Sequence, residues 1–252
     1  MDPTSADRII GKQIFRYPTV SSTNDIARQL AACQADEGTV VVAAEQTLGR
    51  GSRGRAWISP AGVNLLLSVI LRPPVERGRI SELAFVAAVS VARFLNGDTG
   101  LAARVKWPND VRVGGRKIAG ILIEAPVCLK KEIPTAVVGI GVNINWTDLP
   151  PEIAETATSV LIETGRTLDL ESALTGLLDS LDAVYRTYRV DGFEAVLADW
   201  RLLDCTTGEE VTVLLDGETV RGVAESVASD GSLVVRQADG SLRKLTAAGQ
   251  TE

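Results

Sequence analysis

Runs of apolar residues without polar alternation mark the centre of a predicted sheet. Residues 39–44 and 64–71 are such runs, which are typical of strands buried on both faces. A shorter β-prone run at 14–20 predicts a strand before them. Residues 111–124 predict a hairpin that turns at a Gly-Gly pair, and 135–145 predict a further strand.

Apolar residues three and four positions apart predict helices over 80–94, 171–188 and 193–203. Another helix is expected to begin near Asn24, because the preceding hydroxyls at 21–23 are preferred N-caps. Helices and strands do not alternate as regular βαβ units. We therefore predict an α+β fold with a mixed sheet rather than a doubly wound domain.

The pattern changes near residue 205. Beyond it, short β-prone runs are separated by Asp-Gly pairs at 216–217, 230–231 and 239–240, which favour tight hairpins. Such spacing is typical of a small antiparallel barrel of roughly 45 residues. We predict two domains, 1–205 and 206–252.

Composition narrows the possible chemistry. The chain has 252 residues, 45% of them hydrophobic and 23% charged, as in ordinary globular proteins. It contains no histidine, which excludes Ser-His-Asp and Cys-His catalysis and histidine metal sites. The net charge of −6 disfavours sequence-independent binding of nucleic acid through a broad basic surface.

Cysteine usage and the N-terminus indicate the compartment. Cys33, Cys128 and Cys205 are odd in number and far apart, so they form neither a disulfide framework nor a Cys-x-x-Cys metal site. The first residues lack the basic and apolar regions of a signal peptide. We expect a cytoplasmic protein that is not inserted in a membrane.

The segment Gly49–Trp57 is the strongest candidate for chemistry. Three glycines free its backbone, three arginines can bind anionic oxygens, and Trp57 offers an aromatic surface. An oxyanion or phosphate site is one interpretation, and a solvated flexible loop is the other. The loop directly follows a predicted buried strand, which favours the functional interpretation.

Two further segments carry polar groups. Residues 106–110 form either an ordinary turn or a site that presents Lys106, Asn109 and Asp110. Lys117, at the start of a buried strand, needs an anionic partner, which is Asp110, Glu124 or a ligand. Gly120 would let that ligand approach the backbone.

Together these segments resemble the biotin protein ligases. The resemblance runs, in family order, through residues 22–24, 45–47, 49–57, 106–110, 117–124, 139–143 and 157–159. It implies a class II synthetase-like, biotin/lipoate-ligase catalytic domain followed by an SH3-like domain. It also implies activation of biotin by MgATP to biotinyl-5′-AMP and transfer to a lysine of a carboxylase's biotin carboxyl carrier domain.

The resemblance also implies roles for individual residues. Catalytic residues would be Lys117, Arg50 and Asp110, with no resident metal. Biotin would be bound by Ser22, Thr23, Asn24, Gln46, Arg50, Gly51, Ser52 and Lys117. The nucleotide would be bound by Arg53, Arg55, Trp57, Asn109 and Asn143. Trp107 and Trp57 would wall the ligand or support the loop.

Two departures from the family pattern lead to expectations. The family loop usually has Arg or Lys where this chain has Ser52, so the adenylate is expected to escape more readily. About twenty residues precede Ser22, which is too few for the DNA-binding domain of bifunctional members, so no DNA partner is expected. A homodimer is possible through a sheet edge. The alternatives are a lipoate ligase and a non-catalytic module that binds nucleic acid or the carrier domain.

Overall fold

A seven-stranded mixed sheet forms the centre of the protein. The computed structural model describes residues 8–125, 134–215 and 218–246, without the side chains of Arg53, Leu214 and Leu215. The strands are β1 (Ile14–Val20), β2 (Val40–Gln46), β3 (Leu65–Leu71), β4 (Arg104–Lys106), β5 (Asp110–Val113), β6 (Arg116–Glu124) and β7 (Ala136–Val142). Their order is β1-β2-β3-β7-β6-β5-β4, in which β1 and β2 are parallel and the other neighbours antiparallel. The predicted mixed sheet is confirmed.

Helices cover both faces of this sheet. They are α1 (Thr23–Ala32), α2 (Leu83–Phe94), α3 (Pro151–Ala154), α4 (Val160–Thr164), α5 (Leu170–Asp191) and α6 (Phe193–Leu203). Helix α1 packs on β2, β3 and β7, and its buried residues Ala27 and Ala31 form a small core with Val41 and Ile70. Helices α2, α5 and α6 form the larger core on the opposite face, because successive side chains of a strand point to opposite faces.

Helix α2 belongs to the core of that larger layer. The segment Arg77–Thr99 is long and apolar enough to cross a membrane, with a mean hydropathy of 1.3, but 78% of this window is buried inside the protein. The burial accounts for its composition as that of a core helix.

The C-terminal residues form a second, antiparallel sheet. Its strands are β8 (Glu210–Leu215), β9 (Glu218–Val227), β10 (Leu233–Arg236) and β11 (Leu242–Leu245), in the order β11-β10-β9-β8. The predicted small antiparallel, SH3-like element is confirmed, although its 216–217 turn lies outside the described residues. Val213, Val220 and Leu233 join the same core as Phe85 and Trp200 of the larger layer.

Trp107 connects the two sheets. Its indole Nε1 donates to the carbonyl of Gly231 at 2.9 Å, and its backbone N–H donates to Thr206 Oγ1 at 2.8 Å. The side chain is buried against the C-terminal sheet. The turn at 106–110 thus directs Trp107 toward the C-terminal sheet, and the expectation that it walls the ligand or supports the loop stays a prediction.

Candidate functional site

Three glycines make a floor on the face of the sheet that carries α1. Gly139 and Gly141 alternate along β7, and Gly120 of β6 pairs with Gly141. A Cβ atom at Gly141 would lie 2.5 Å from the Trp57 indole, and one at Gly139 would lie 2.4 Å from Asn24 Oδ1. Absence of side chains at these positions lets Asn24 and Trp57 lie directly on the sheet.

Gly120 also lies on this floor and lines the cavity beside it. A Cβ atom there would lie 2.9 Å from Trp57 and 3.0 Å from Lys117 Nζ. That Gly120 lets a ligand approach the backbone stays a prediction.

A residue of a neighbouring strand caps the N-terminus of α1. Gln46 Oε1, at the end of β2, accepts from the Thr23 backbone N–H at 2.7 Å and lies 3.0 Å from Thr23 Oγ1. Ser22 occupies the N-cap position, but its side chain makes no capping hydrogen bond. Because the carbonyl of Gln46 is committed to the helix, its NH2 group is the part left for a ligand.

Asn24 is held from below by β3. The buried Ser68 hydroxyl donates to Asn24 Oδ1 at 2.6 Å and lies 2.7 Å from Thr23 Oγ1. Asn24 Nδ2 is buried and has no hydrogen-bond partner among the described residues, and the same holds for Trp57 Nε1. Buried donors are normally satisfied, so the pair indicates that a ligand with acceptor atoms belongs here.

Lys117 and Asp110 face each other beside this floor. Lys117 Nζ lies 2.5 Å from Asp110 Oδ1, an ion pair without hydrogen-bond geometry, and 5.6 Å from the centroid of the Trp57 ring. The Lys117 backbone is fixed by Thr156 and Thr158, whose carbonyl and N–H it pairs with at 2.7 and 2.8 Å. Of the partners expected for this lysine, Asp110 is the one observed.

Arg50 is anchored by two carboxylates. Its Nη1 and Nη2 donate to Asp25 at 2.9 and 2.7 Å, and Nη2 also contacts Glu124 at 3.4 Å. Arg28 pairs with the same two acids. The hydrogen bonds from Arg50 lower the pKa of Asp25 to about 2, although partial burial opposes this, and they raise the pKa of Arg50.

These elements enclose a cavity of about 40 Å³ at the N-terminus of α1. The predicted site residues that line it are Ser22, Thr23, Asn24, Gln46, Arg50, Gly51, Ser52, Trp57, Asn109 and Lys117. The structure thus gathers in one place residues that the sequence separates by up to 95 positions (117 − 22). The volume of this cavity is well below the roughly 300–1,000 Å³ of known small-molecule pockets.

The remaining predicted residues lie around or outside the cavity. Asp110 is not among the residues that line the cavity, but it forms an ion pair with Lys117, which is. Arg55 folds back so that its guanidinium donates to Ser52. Arg53 lies in the short 3-10 turn at 52–54, but its side chain is outside the described part of the structure. Asn143 is buried away from the cavity and donates to the Thr158 carbonyl at 3.0 Å.

Sequence reasoning missed Ser68, Asp25 and the role of Gly139 and Gly141. Ser68 had a visible signal, since it is the one polar residue in a strand of seven buried residues, LLLSVIL. Gly139 and Gly141 belong to the segment 139–143 that carries the family resemblance, but the sequence alone does not show that they form a floor. Asp25 gave no signal, because the sequence does not show which arginine a surface acid meets.

Family models match most of the chain. The model of the biotin/lipoate A/B protein ligase family matches residues 17–143, and that of the biotin protein ligase C-terminal domain matches residues 206–248. The chain belongs to the biotin/lipoate protein ligase family. The first match spans every residue that lines the cavity, and the second spans the four strands of the C-terminal sheet.

Similar proteins within this family are named biotin ligases. The biotin–[acetyl-CoA-carboxylase] ligase of Mycobacterium tuberculosis is 35% identical over 90% of this chain and 86% of its own length. That of Paracoccus denitrificans is 34% identical over 85% and 90%. The solved biotin protein ligase of Aquifex aeolicus in complex with biotin and ATP superposes with a TM-score of 0.82, 27% identity and coverage of 95% and 97%.

Proposed function

We propose that this protein activates biotin with MgATP and transfers it to a lysine of a biotin carboxyl carrier domain. A carboxylate oxygen of biotin attacks the α-phosphorus of ATP, pyrophosphate leaves, and biotinyl-5′-AMP forms. The acceptor amine then attacks the acyl carbon, AMP leaves, and an amide bond remains. The relatives' names and the family membership support this reaction, and magnesium enters with the nucleotide.

One observation carries the proposal. Two buried donors without partners, Asn24 Nδ2 and Trp57 Nε1, share a cavity with the ammonium of Lys117. Biotin has acceptors at both ends, namely the ureido carbonyl and the carboxylate. The donors on the glycine floor fit the ureido end, and Lys117 fits the carboxylate end.

The reaction needs charge stabilisation rather than a protein nucleophile. Lys117 bridges the biotin carboxylate and the α-phosphate, which would otherwise repel each other, while Asp110 orients its ammonium. Each such positioned charge lowers the activation free energy by on the order of 3 kcal/mol in a site closed to water. A chain without histidine is suited to this chemistry.

The loop residues handle the phosphates in this proposal. Arg50 leaves Asp25 and Glu124 when an anionic ligand enters, and Arg53, Arg55 and Asn109 approach the nucleotide. The amide of Asn143 is committed to Thr158, so we assign it a supporting role instead of a contact with the nucleotide.

The setting of the enzyme follows the sequence-based expectations. We propose that it acts in the cytoplasm on a carboxylase carrier domain. A homodimer through the sheet edge is included as part of this proposal.

Transfer to a carrier domain tests the proposal directly. The full chain is incubated with MgATP and a purified carrier domain, with biotin in one sample and lipoate in another, and the carrier is weighed by mass spectrometry. Biotin added only to a carrier that retains its acceptor lysine supports the proposal. A carrier that gains lipoate instead of biotin would show that lipoate is the substrate. An unmodified carrier in both samples would contradict the proposal.

A further inference from the structure

Ser68 is an unexpected polar group at the centre of the protein. It is fully buried in β3, where all the other residues are apolar. A hydroxyl in such a place is costly unless hydrogen bonds satisfy it, because burial removes its contacts with water. Both of its partners, Asn24 and Thr23, line the cavity.

The structure places the amide oxygen of Asn24, and not its NH2 group, next to Ser68. In this orientation the oxygen can only accept, so Ser68 donates its single proton to it at 2.6 Å. The Thr23 hydroxyl then donates to Ser68 Oγ at 2.7 Å, while Gln46 keeps the Thr23 backbone N–H. In this arrangement every proton between these side chains has an acceptor.

The hydrogen bond from Ser68 holds the Asn24 amide in this orientation. With its oxygen held by Ser68 above Gly139, the NH2 group is the part left without a partner. We propose that Ser68 is a positioning residue, which keeps the NH2 group of Asn24 turned toward the ligand and so makes the site select a carbonyl acceptor. This inference rests on the proposed function, and it adds a residue that never contacts the substrate.

Selectivity between two ligands follows from this orientation. Biotin presents a ureido oxygen, which accepts hydrogen bonds, whereas 2-iminobiotin presents an N–H group at the same position. Without Ser68 the Asn24 amide is free to rotate by half a turn and present its oxygen instead. Loss of the hydroxyl should therefore weaken biotin binding and reduce discrimination against iminobiotin.

Ser90 provides a matched control. It is also a fully buried serine, and its hydroxyl donates to the Val86 carbonyl at 2.7 Å within α2, away from the cavity. Ser90→Ala thus removes a buried hydroxyl without touching Asn24. Ser68→Cys keeps roughly the volume of Ser68 but offers only a weak hydrogen-bond donor. It therefore tests whether the effect comes from the lost hydrogen bond and not from packing alone.

Adenylation is measured by pyrophosphate exchange while the concentration of biotin, iminobiotin or ATP is varied in turn. Ser68→Ala is expected to raise the KM for biotin about tenfold, with an unchanged KM for ATP and a smaller preference for biotin over iminobiotin. Ser68→Cys should behave like Ser68→Ala, and Ser90→Ala like wild type. In the Asn24→Ala background, Ser68→Ala should have no further effect on the KM for biotin.

Two results would overturn the inference. One is an unchanged KM for biotin and an unchanged preference in Ser68→Ala. The other is an equal further loss when Ser68→Ala is added to Asn24→Ala, since independent effects add. In either case, biotin-dependent pyrophosphate exchange by the wild type would show that the proposed function holds. A failure of the inference about Ser68 is thereby distinguished from a failure of the proposed function.

Discussion

Arg50 and Asp25 join the cavity loop to the first turn of α1 through two parallel hydrogen bonds of 2.9 and 2.7 Å. Glu124, at the end of β6, adds a third contact at 3.4 Å. A single guanidinium therefore ties together three separate segments around the cavity. The loop that the sequence presents as Gly-rich and flexible has a defined anchor.

Asp25→Asn is expected to make the protein less stable in a pH-dependent manner. The pKa of Asp25 is lowered to about 2, so its charge stabilises the fold above its unfolded-state pKa near 3.8, and this contribution is lost as the pH falls toward about 2. Thermal unfolding at neutral pH should show a loss of about 1 kcal/mol.

The difference between wild type and Asp25→Asn should shrink between about pH 4 and pH 2. Asp148→Asn is the control, because Asp148 is exposed and forms no ion pair with the described residues. A difference between wild type and Asp25→Asn that stays constant down to pH 2 would contradict this account.

Gly141→Ala is expected to displace Trp57 from the glycine floor. The new methyl group would lie 2.5–2.8 Å from the indole, closer than the two can pack. The KM for biotin in pyrophosphate exchange should rise about tenfold or more. Gly97→Ala is the control, since Gly97 is exposed with open space around it, and equal KM values for the two variants would refute the role of the floor.

Trp107→Phe is expected to weaken the junction between the sheets. It leaves the buried Gly231 carbonyl without its donor, which costs about 1–3 kcal/mol of unfolding free energy. Trp200→Phe is a matched control, because the buried Trp200 Nε1 has no hydrogen-bond partner within the part of the chain that the structure describes. Chemical denaturation of both variants would give equal losses if the Trp107 hydrogen bond contributed nothing.

Ser52→Arg is expected to retain the adenylate better than the wild type. Ser52 lines the cavity, and the exposed Arg55 donates to its hydroxyl and carbonyl. A second arginine would hold the phosphate more firmly. Labelling of bystander lysines should therefore decrease, and equal labelling by both proteins would rule out this effect of Ser52.

The fold was largely predictable because burial governs the pattern of residues. The helix predicted over 193–203 and the strand over 64–71 correspond to Phe193–Leu203 and Leu65–Leu71. A long apolar run can be buried in only a few ways, so the local spacing of its residues is sufficient to predict the helix or strand.

The contacts of the site were less predictable because they are not local. The N-terminus of α1 is capped by Gln46 and not by the adjacent Ser22, and Trp107 binds a carbonyl 124 positions further along. Hydroxyls and indoles can be satisfied by any nearby acceptor, and only the fold decides which one. Residue types therefore indicated the members of the site, but not their partners.

Pyrophosphate exchange in the wild type and Lys117→Ala tests the central claim most directly. Labelled pyrophosphate should enter ATP only when biotin is present, and the rate in Lys117→Ala should fall by about a hundredfold or more. Lys12→Ala, an exposed lysine away from the cavity, should retain the wild-type rate. Exchange that Lys117→Ala leaves intact, or that never depends on biotin, would contradict the account.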